Sequence, residues 1–278
     1  METFHKVTMT APSHVPKPTS PLADIGGCVR FFSRLPLPAL SGDDDPSHMP
    51  AFERAAWALP VAGLVIVAPA LIMVLLLKAA GAPALVAAFL FFGLGILTTG
   101  GLHEDGLADM ADGLGGGATR DRKLQIMKDS RIGAYGVLAL VGTIGLKAAA
   151  LGALFSALGT IELGVLIALS AMASRTGMAA LWHLLPPARP DGLSVAAGRP
   201  GLRAIVVGHA VTLAALAAGS SFVGAEAILA LAAAGFLATA LVGRMALRQI
   251  GGQTGDILGG CQQIGETAIL TALALTAT

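Results

Sequence analysis

Seven apolar runs separated by polar segments govern what this 278-residue chain can fold into. They fall at 55–77, 84–99, 134–158, 161–181, 202–222, 225–242 and 265–277. A helix rises about 1.5 Å per residue and a bilayer's hydrocarbon core is ~30 Å thick. Six of the runs are therefore long or nearly long enough to cross; the seventh is short and carries Glu266. A crossing segment must satisfy its backbone polar groups internally, which favours helix over any open sheet. The expected fold is all-α, a polytopic integral membrane helical bundle of six to seven transmembrane helices.

Composition supports this reading. Hydrophobic residues make up 55% of the chain and charged residues 13%, too few charges for the surface of a soluble enzyme of this length. A net charge of +1 leaves no electrostatic footprint for nucleic acid. Two cysteines, Cys28 and Cys261, make neither a disulfide framework nor a zinc signature. Residues 1–21, rich in Pro, Thr and Ser, read as a disordered cytoplasmic tail, and 22–278 as a single membrane-embedded catalytic domain. Leu22, Ile25, Val29, Phe32 and Leu35 recur at helical spacing with Arg30 and Arg34 among them. That pattern predicts an N-terminal interfacial helix ended by Pro36 and Pro38.

Lys and Arg gather in the tail and in 101–133, 182–203 and 243–260, whereas the opposite turns offer only Lys78. The positive-inside rule then puts the long polar segments on the cytoplasmic side, where they can converge on one site. Lys147 and Arg175 fall inside predicted spans. A charge there costs from ~2.5 kcal/mol upward and normally faces a partner or a water-filled cavity.

The chemistry is expected in GLHEDGLADMADGLGGGATRDRKLQIMKDSRIGAYG, residues 101–136. On a helix, Asp105, Asp109 and Asp112 fall within about a 60° sector. Like charges so placed call for a cation, and oxygen ligands suit Mg2+, with Mn2+ as a substitute. His103 and Glu104 lie beside that face. The glycines that follow break the helix and let backbone amides approach an anion. Thr119 then caps a short helix through Lys128, with Arg122 and Lys123 placed to meet anionic lipid. Asp129, Ser130 and Arg131 sit just before the next span, where Arg131 can grip a phosphate through paired donors. A second glycine-rich turn, GGQTGDILGG at 251–260, carries Thr254 and Asp256 and precedes Glu266. Spacing alone leaves a metal-assisted transferase, an ion pathway and a solvated acidic loop open.

RFFSRLPLP at 30–38, TGGLHEDGLADMADGLGG at 99–116, IMKDSRIGAYG at 126–136, the Ser174-Arg175 pair and GGQTGDILGG together resemble the cobalamin synthase (adenosylcobinamide-GDP ribazoletransferase) family. The resemblance runs from about Ala23 to the end. It implies a multi-pass enzyme of a prokaryotic inner membrane that takes part in vitamin B12 assembly with its active site facing the cytoplasm. The reaction joins adenosylcobinamide-GDP to α-ribazole, or to its 5′-phosphate, and releases GMP with magnesium present. The site it implies has Glu104, Asp105, Asp109 and Asp112 on metal and His103 or an aspartate as base. Asp129 joins the catalytic set, while Ser130, Arg131 and Arg175 bind the phosphates and Thr254, Asp256 and Glu266 orient substrate. Membrane lipid, a homo-oligomer and association with other cobalamin-assembly enzymes are the further partners it allows. Three rivals remain: a CDP-alcohol phosphotransferase, whose DGxxAR element would need an Arg where Asp109 stands; an intramembrane prenyltransferase, which lacks a second DxxxD here; and a membrane transporter.

Overall fold

The computed structural model describes residues 20–277. These form α1 (Pro21–Phe32), α2 (Phe52–Ala55), a 3-10 turn (Ala56–Ala58), α3 (Leu59–Ala79), α4 (Ala84–Thr99), α5 (Leu102–Gly116), α6 (Arg120–Ile126), α7 (Ala134–Ala157), α8 (Thr160–Leu184), α9 (Leu193–Ala196), α10 (Leu202–Val223), α11 (Ala225–Ile250) and α12 (Gly255–Thr276). Among the described residues the only β-type pairing is one isolated bridge between Pro187 and Gln253.

Five stretches are long and apolar enough to cross a membrane: Phe52–Ala79, Ala134–Ala157, Thr160–Leu184, Leu202–Val223 and Ala225–Ile250. A sixth exists if α4 and α5, bent by 93° at their junction, count together. Gly100 and Gly101 make that bend with φ of 70° and 73°, a left-handed conformation that side chains with a Cβ disfavour. We read α4 as the crossing part and α5 as lying across the end of the bundle, outside the spans. The 22-residue α12 is longer than the expected seventh run but too polar to join the five.

Burial ranks the helices. In its most apolar stretch α8 is 67% buried and α11 only 17%, which puts α8 at the centre and α11 at the rim. Leu138, Val141, Leu213, Phe236, Leu237 and Leu241 face outward. For a bundle in lipid, such an apolar exterior is the expected one.

Several boundaries depart from expectation. The tail falls outside the described residues except for Ser20 and Pro21, which cap and open α1. α1 stops at Phe32, before the prolines, because Ser33 turns to extended backbone. Its face of Cys28, Val29 and Phe32 is buried in the protein core rather than spread on lipid, and Arg30 pairs with Asp44. α6 ends two residues before Lys128. Its Lys123 donates to the Leu114 carbonyl at 2.7 Å, so that ammonium is tied to protein rather than lipid. α11 runs eight residues past the apolar stretch, and α12 starts ten residues before it.

Candidate active site

α5 and α12 cross at glycines. A Cβ on Gly106 would come 3.2 Å from both the Asp256 carbonyl oxygen and the Gly259 Cα. Small residues on both helices allow this close backbone approach. Asp105 and Asp109, one helical turn apart on α5, are thereby brought to the first turn of α12, which holds Asp256. Thr254 caps that turn: its Oγ1 accepts from the Ile257 amide at 3.3 Å and donates to Asp256 Oδ2 at 3.1 Å.

Arg189 completes this edge. It comes from the segment after α8, which is clamped to the α11–α12 turn by Ala188 N donating to Gln253 O and Gln253 N donating to Pro186 O, both at 2.8 Å. Arg120 of α6 donates to the carbonyls of Ile250 and Ala188 and ties the same two segments together. So held, the Arg189 guanidinium lies 3.6 Å from Asp256. In the sequence Arg189 is one of the cations of 182–203, with nothing local to link it to Asp256, 67 positions away.

Asp105 is exposed and Asp109 half-buried. Burial, then the neighbouring charges of Asp105, Asp256 and Asp112, push the Asp109 carboxyl up to about 7, with Arg189 opposing. Asp256 is also raised, first by burial. Both shifts follow from crowding carboxylates in a partly dry place. A cavity of about 230 Å³ opens on this edge, bounded by Asp105, Asp256 and Arg189 on one side and by Phe31, Phe32 and Trp182 on another.

Asp112 is placed differently from its two predicted companions. It is 7% exposed. Its Oδ2 accepts from the Gly133 amide at 2.7 Å and its Oδ1 from the Gly136 amide at 2.8 Å. It therefore caps α7, and a Cβ at either glycine would overlap it. The shared helical face is real, but the end of α7 covers its third member.

Glu104, Arg175 and Glu266 also leave the predicted set. Glu104 points away from Asp105, into a second, inner cluster with His103, Lys147, Arg175, Gln262, Gln263 and Glu266 around a space of about 50 Å³. Lys147 Nζ donates to Gln263 Oε1 at 2.6 Å and to Glu266 Oε2 at 3.1 Å, and lies 4.8 Å from the centre of the Phe92 ring. Gln263 Nε2 donates to Glu104 Oε1 at 2.9 Å. Arg175 Nη1 donates to its own helix, at Ala171 O. His103 Nε2, Glu104 Oε2 and Arg175 Nε have no partner among the described residues, and the space beside them has room for a water or two. Glu266 stands ten residues from Asp256 on α12, about 15 Å along the axis, so the two acids serve different clusters.

His103 stacks on Phe32 with ring centroids 5.7 Å apart and planes 6° off parallel. Burial, then Arg175 and Lys147, push its imidazole down to about 3, so the ring stays neutral. Ser130 and Arg131 are exposed in the turn before α7. Arg131 Nη2 lies 2.7 Å from Asp129 Oδ2, and its hydrogen bonds hold the Asp129 carboxyl at about 2.

Comparison with known proteins adds to this geometry. The family described as cobalamin-5-phosphate synthase matches residues 24–274. An adenosylcobinamide-GDP ribazoletransferase of Bradyrhizobium diazoefficiens is 45% identical over 91% of this chain and 94% of its own length. Its namesake from Azorhizobium caulinodans is 44% identical over 92% and 97%, and that from Allorhizobium ampelinum 41% over 91% and 96%. No solved structure matches.

Proposed function

This chain belongs to the cobalamin-5-phosphate synthase family, and on that premise we propose that it is a membrane adenosylcobinamide-GDP ribazoletransferase. It joins adenosylcobinamide-GDP to α-ribazole, or to its 5′-phosphate, and releases GMP. A ribose hydroxyl of the acceptor forms a P–O bond to the phosphoryl group attached to cobinamide. The P–O bond to GMP breaks, and the hydroxyl's proton passes to the protein. The observation that carries this reading is the meeting of Asp105 with Asp256 and Arg189 at one cavity, with Asp109 one helical turn along and within reach of their charges.

Asp105 and Asp109 would hold magnesium, or manganese in its place. Among the described residues no three His, Cys, Asp or Glu side chains already form a metal cage. That arrangement fits an ion which takes one or two carboxylates and completes its shell with water and substrate phosphates. When bound, the ion supplies neutralisation of the charge that gathers on the phosphoryl and leaving-group oxygens. Arg189, with Arg131 and Ser130 from the turn before α7, binds phosphate oxygens. Asp256 takes the acceptor's proton: its carboxyl stands at the cavity with its basicity raised by burial, whereas the His103 imidazole is held near 3. Asp112 acts through α7 rather than on substrate. Glu104, Lys147, Arg175 and Glu266 fix α5 against α7, α8 and α12 from inside.

In this reading the site opens to the cytoplasm of a prokaryotic cell with the bundle in the inner membrane, as the cationic segments around it favour. The exposed faces of α10 and α11 meet lipid, and a homo-oligomer or another cobalamin-assembly enzyme would cover part of them. The test is to supply the purified protein in lipid with adenosylcobinamide-GDP, α-ribazole and magnesium. Stoichiometric GMP and a cobalamin product are expected; release of CMP from a CDP-alcohol donor instead, with no GMP, would overturn the assignment.

A further inference from the structure

We infer that the groove between α8, α10 and α11 is a binding site for an anionic phospholipid, whose phosphate is held by Arg244 and Arg248 and whose acyl chain lies in the groove below them. The groove shares no residue with the acidic cavity, and the inference does not depend on the transferase reading.

The groove encloses about 770 Å³ and is lined mainly by aliphatic side chains and glycine, among them Leu213, Leu216 and Leu231. Its polar side chains are already engaged, with two exceptions. Thr176 Oγ1 and Thr212 Oγ1 bond to each other at 2.6 Å, Thr239 Oγ1 accepts from Cys261 Sγ at 4.0 Å, and His209 Nδ1 donates to the Ile205 carbonyl at 2.8 Å. Arg244 and Arg248, one turn apart and exposed near the end of α11, have no ion pair or hydrogen bond among the described residues. No acidic side chain lines the groove.

Two unpaired guanidinium groups above an apolar trough complement a phosphate above a hydrocarbon chain, and the paired donors of arginine suit phosphate oxygens. A zwitterionic headgroup brings a cation to the same place and cancels part of the attraction; an anionic one does not.

Depth favours a lipid over a helix. The wall on α8 runs from Ala173 to Leu184 and that on α10 from His209 to Leu216, about 17 and 10 Å along their axes, and only α11 carries the groove further, to Leu231. One leaflet of a ~30 Å hydrocarbon core is about 15 Å deep, whereas a crossing partner helix needs the whole of it. Both arginines lie at the end of the bundle that carries the acidic site, so the groove reaches from that surface to about the middle. A second copy docked on the same face about a two-fold axis would also set its own Arg244 and Arg248 against these, like charge against like.

The occupant has a mechanical role. α8 and α11 run on into the two segments clamped by Ala188 and Gln253, so a lipid wedged between these helices braces that clamp from below.

Phe236→Trp places a fluorescent reporter in the groove wall, and the parent protein, with Trp57 and Trp182, supplies the background. In a phosphatidylcholine bilayer, phosphatidylglycerol brominated in its acyl chains and added as a minor component should quench the reporter at least about tenfold more effectively than brominated phosphatidylcholine at the same fraction, because each arginine near the surface contributes roughly fivefold. Adding Arg244→Gln and Arg248→Gln, both at exposed positions, should bring the two lipids within about twofold of each other with helical signal unchanged. Gly243→Leu fills the groove without a clash at its Cβ, which meets Leu181 Cδ1 at 3.5 Å, and should reduce quenching by phosphatidylglycerol with both arginines intact. Equal quenching by the two lipids, or a preference that survives loss of both arginines, overturns the assignment. Absence of preference together with a lowered oligomeric mass in Gly243→Leu overturns it too and gives the groove to a second copy.

Discussion

Replacing Asp112 separates a metal ligand from a helix cap. On helical spacing alone it belongs with Asp105 and Asp109, but in the fold both of its oxygens accept amides of α7, at 2.7 and 2.8 Å, in a place 7% exposed. A hydrogen bond to a charged group is worth about 1.5–3 kcal/mol, and a capping residue changed to Ala costs about 0.5–2 kcal/mol. Asp112→Ala leaves both amides unpaired, for a loss of about 2–4 kcal/mol. Asp112→Asn keeps one acceptor oxygen and loses about half of that. In a chain of this size about 1 kcal/mol shifts melting by roughly 2–4 °C, so the Ala variant should melt about 5–10 °C below the parent and the Asn variant between them. The assay is helical signal against temperature for the lipid-embedded protein, paired with the magnesium dependence of turnover in Asp112→Asn. The cap reading requires lowered melting with half-saturating magnesium within about twofold of the parent. Unchanged melting together with a tenfold weaker magnesium response would refute it and return Asp112 to the metal.

Three further outcomes follow from the same geometry. Asp109, pushed up to about 7 without metal, must lose a proton to hold a cation. Magnesium affinity should therefore be full above pH 7 and fall by up to about tenfold per pH unit below it; isothermal titration showing no change between pH 5.5 and 8 would count against Asp109 as a ligand. Asp256→Asn should lower kcat by about 10²-fold or more with little effect on KM, and should flatten the acid limb of the pH–rate profile, because the raised carboxyl accepts protons only above its own pKa; a surviving limb assigns the base elsewhere. Lys147→Met strands the carboxylate of Glu266 and should cost about 3–5 kcal/mol, most of it recovered by adding Glu266→Gln. Additive losses in that double variant, read by melting, would show that the two side chains do not depend on each other.

Much of the bundle was legible because apolar runs follow the bilayer's thickness: the edges of α4, α7 and α10 fall within a residue of expectation. The errors have a common cause. Gly259 and Gly260 read as a turn, yet they lie inside α12, where their small size lets α5 approach; glycine marks a helix contact in a membrane as readily as a helix end. Arg244 and Arg248 read as loop charges, yet they ride on the exposed face of α11, which runs on to Ile250. Asp105 and Asp109 were found by periodicity, a local property. The turning of Glu104 inward, the capping by Asp112 and the arrival of Arg189 depend on what α7, α12 and the segment after α8 bring, and no spacing within 101–136 contains that information. Arg175 stands with Glu104 and Glu266 in the inner cluster, and His103 lies between that cluster and the cavity, for the same reason.

The bend at Gly100 and Gly101 sets the depth at which the carboxylates stand. α4 and α5 have 16 and 15 residues; as one straight helix they would reach about 46 Å, roughly 15 Å beyond a ~30 Å hydrocarbon core. Folded over by 93°, α5 becomes a shelf across the end of the bundle. Two bulky, water-soluble reactants can then meet on that shelf from one side, and no helix has to part to admit a corrinoid. A transporter must open to both faces in turn, whereas a shelf needs only one approach, which leaves the rest of the bundle free to stay rigid.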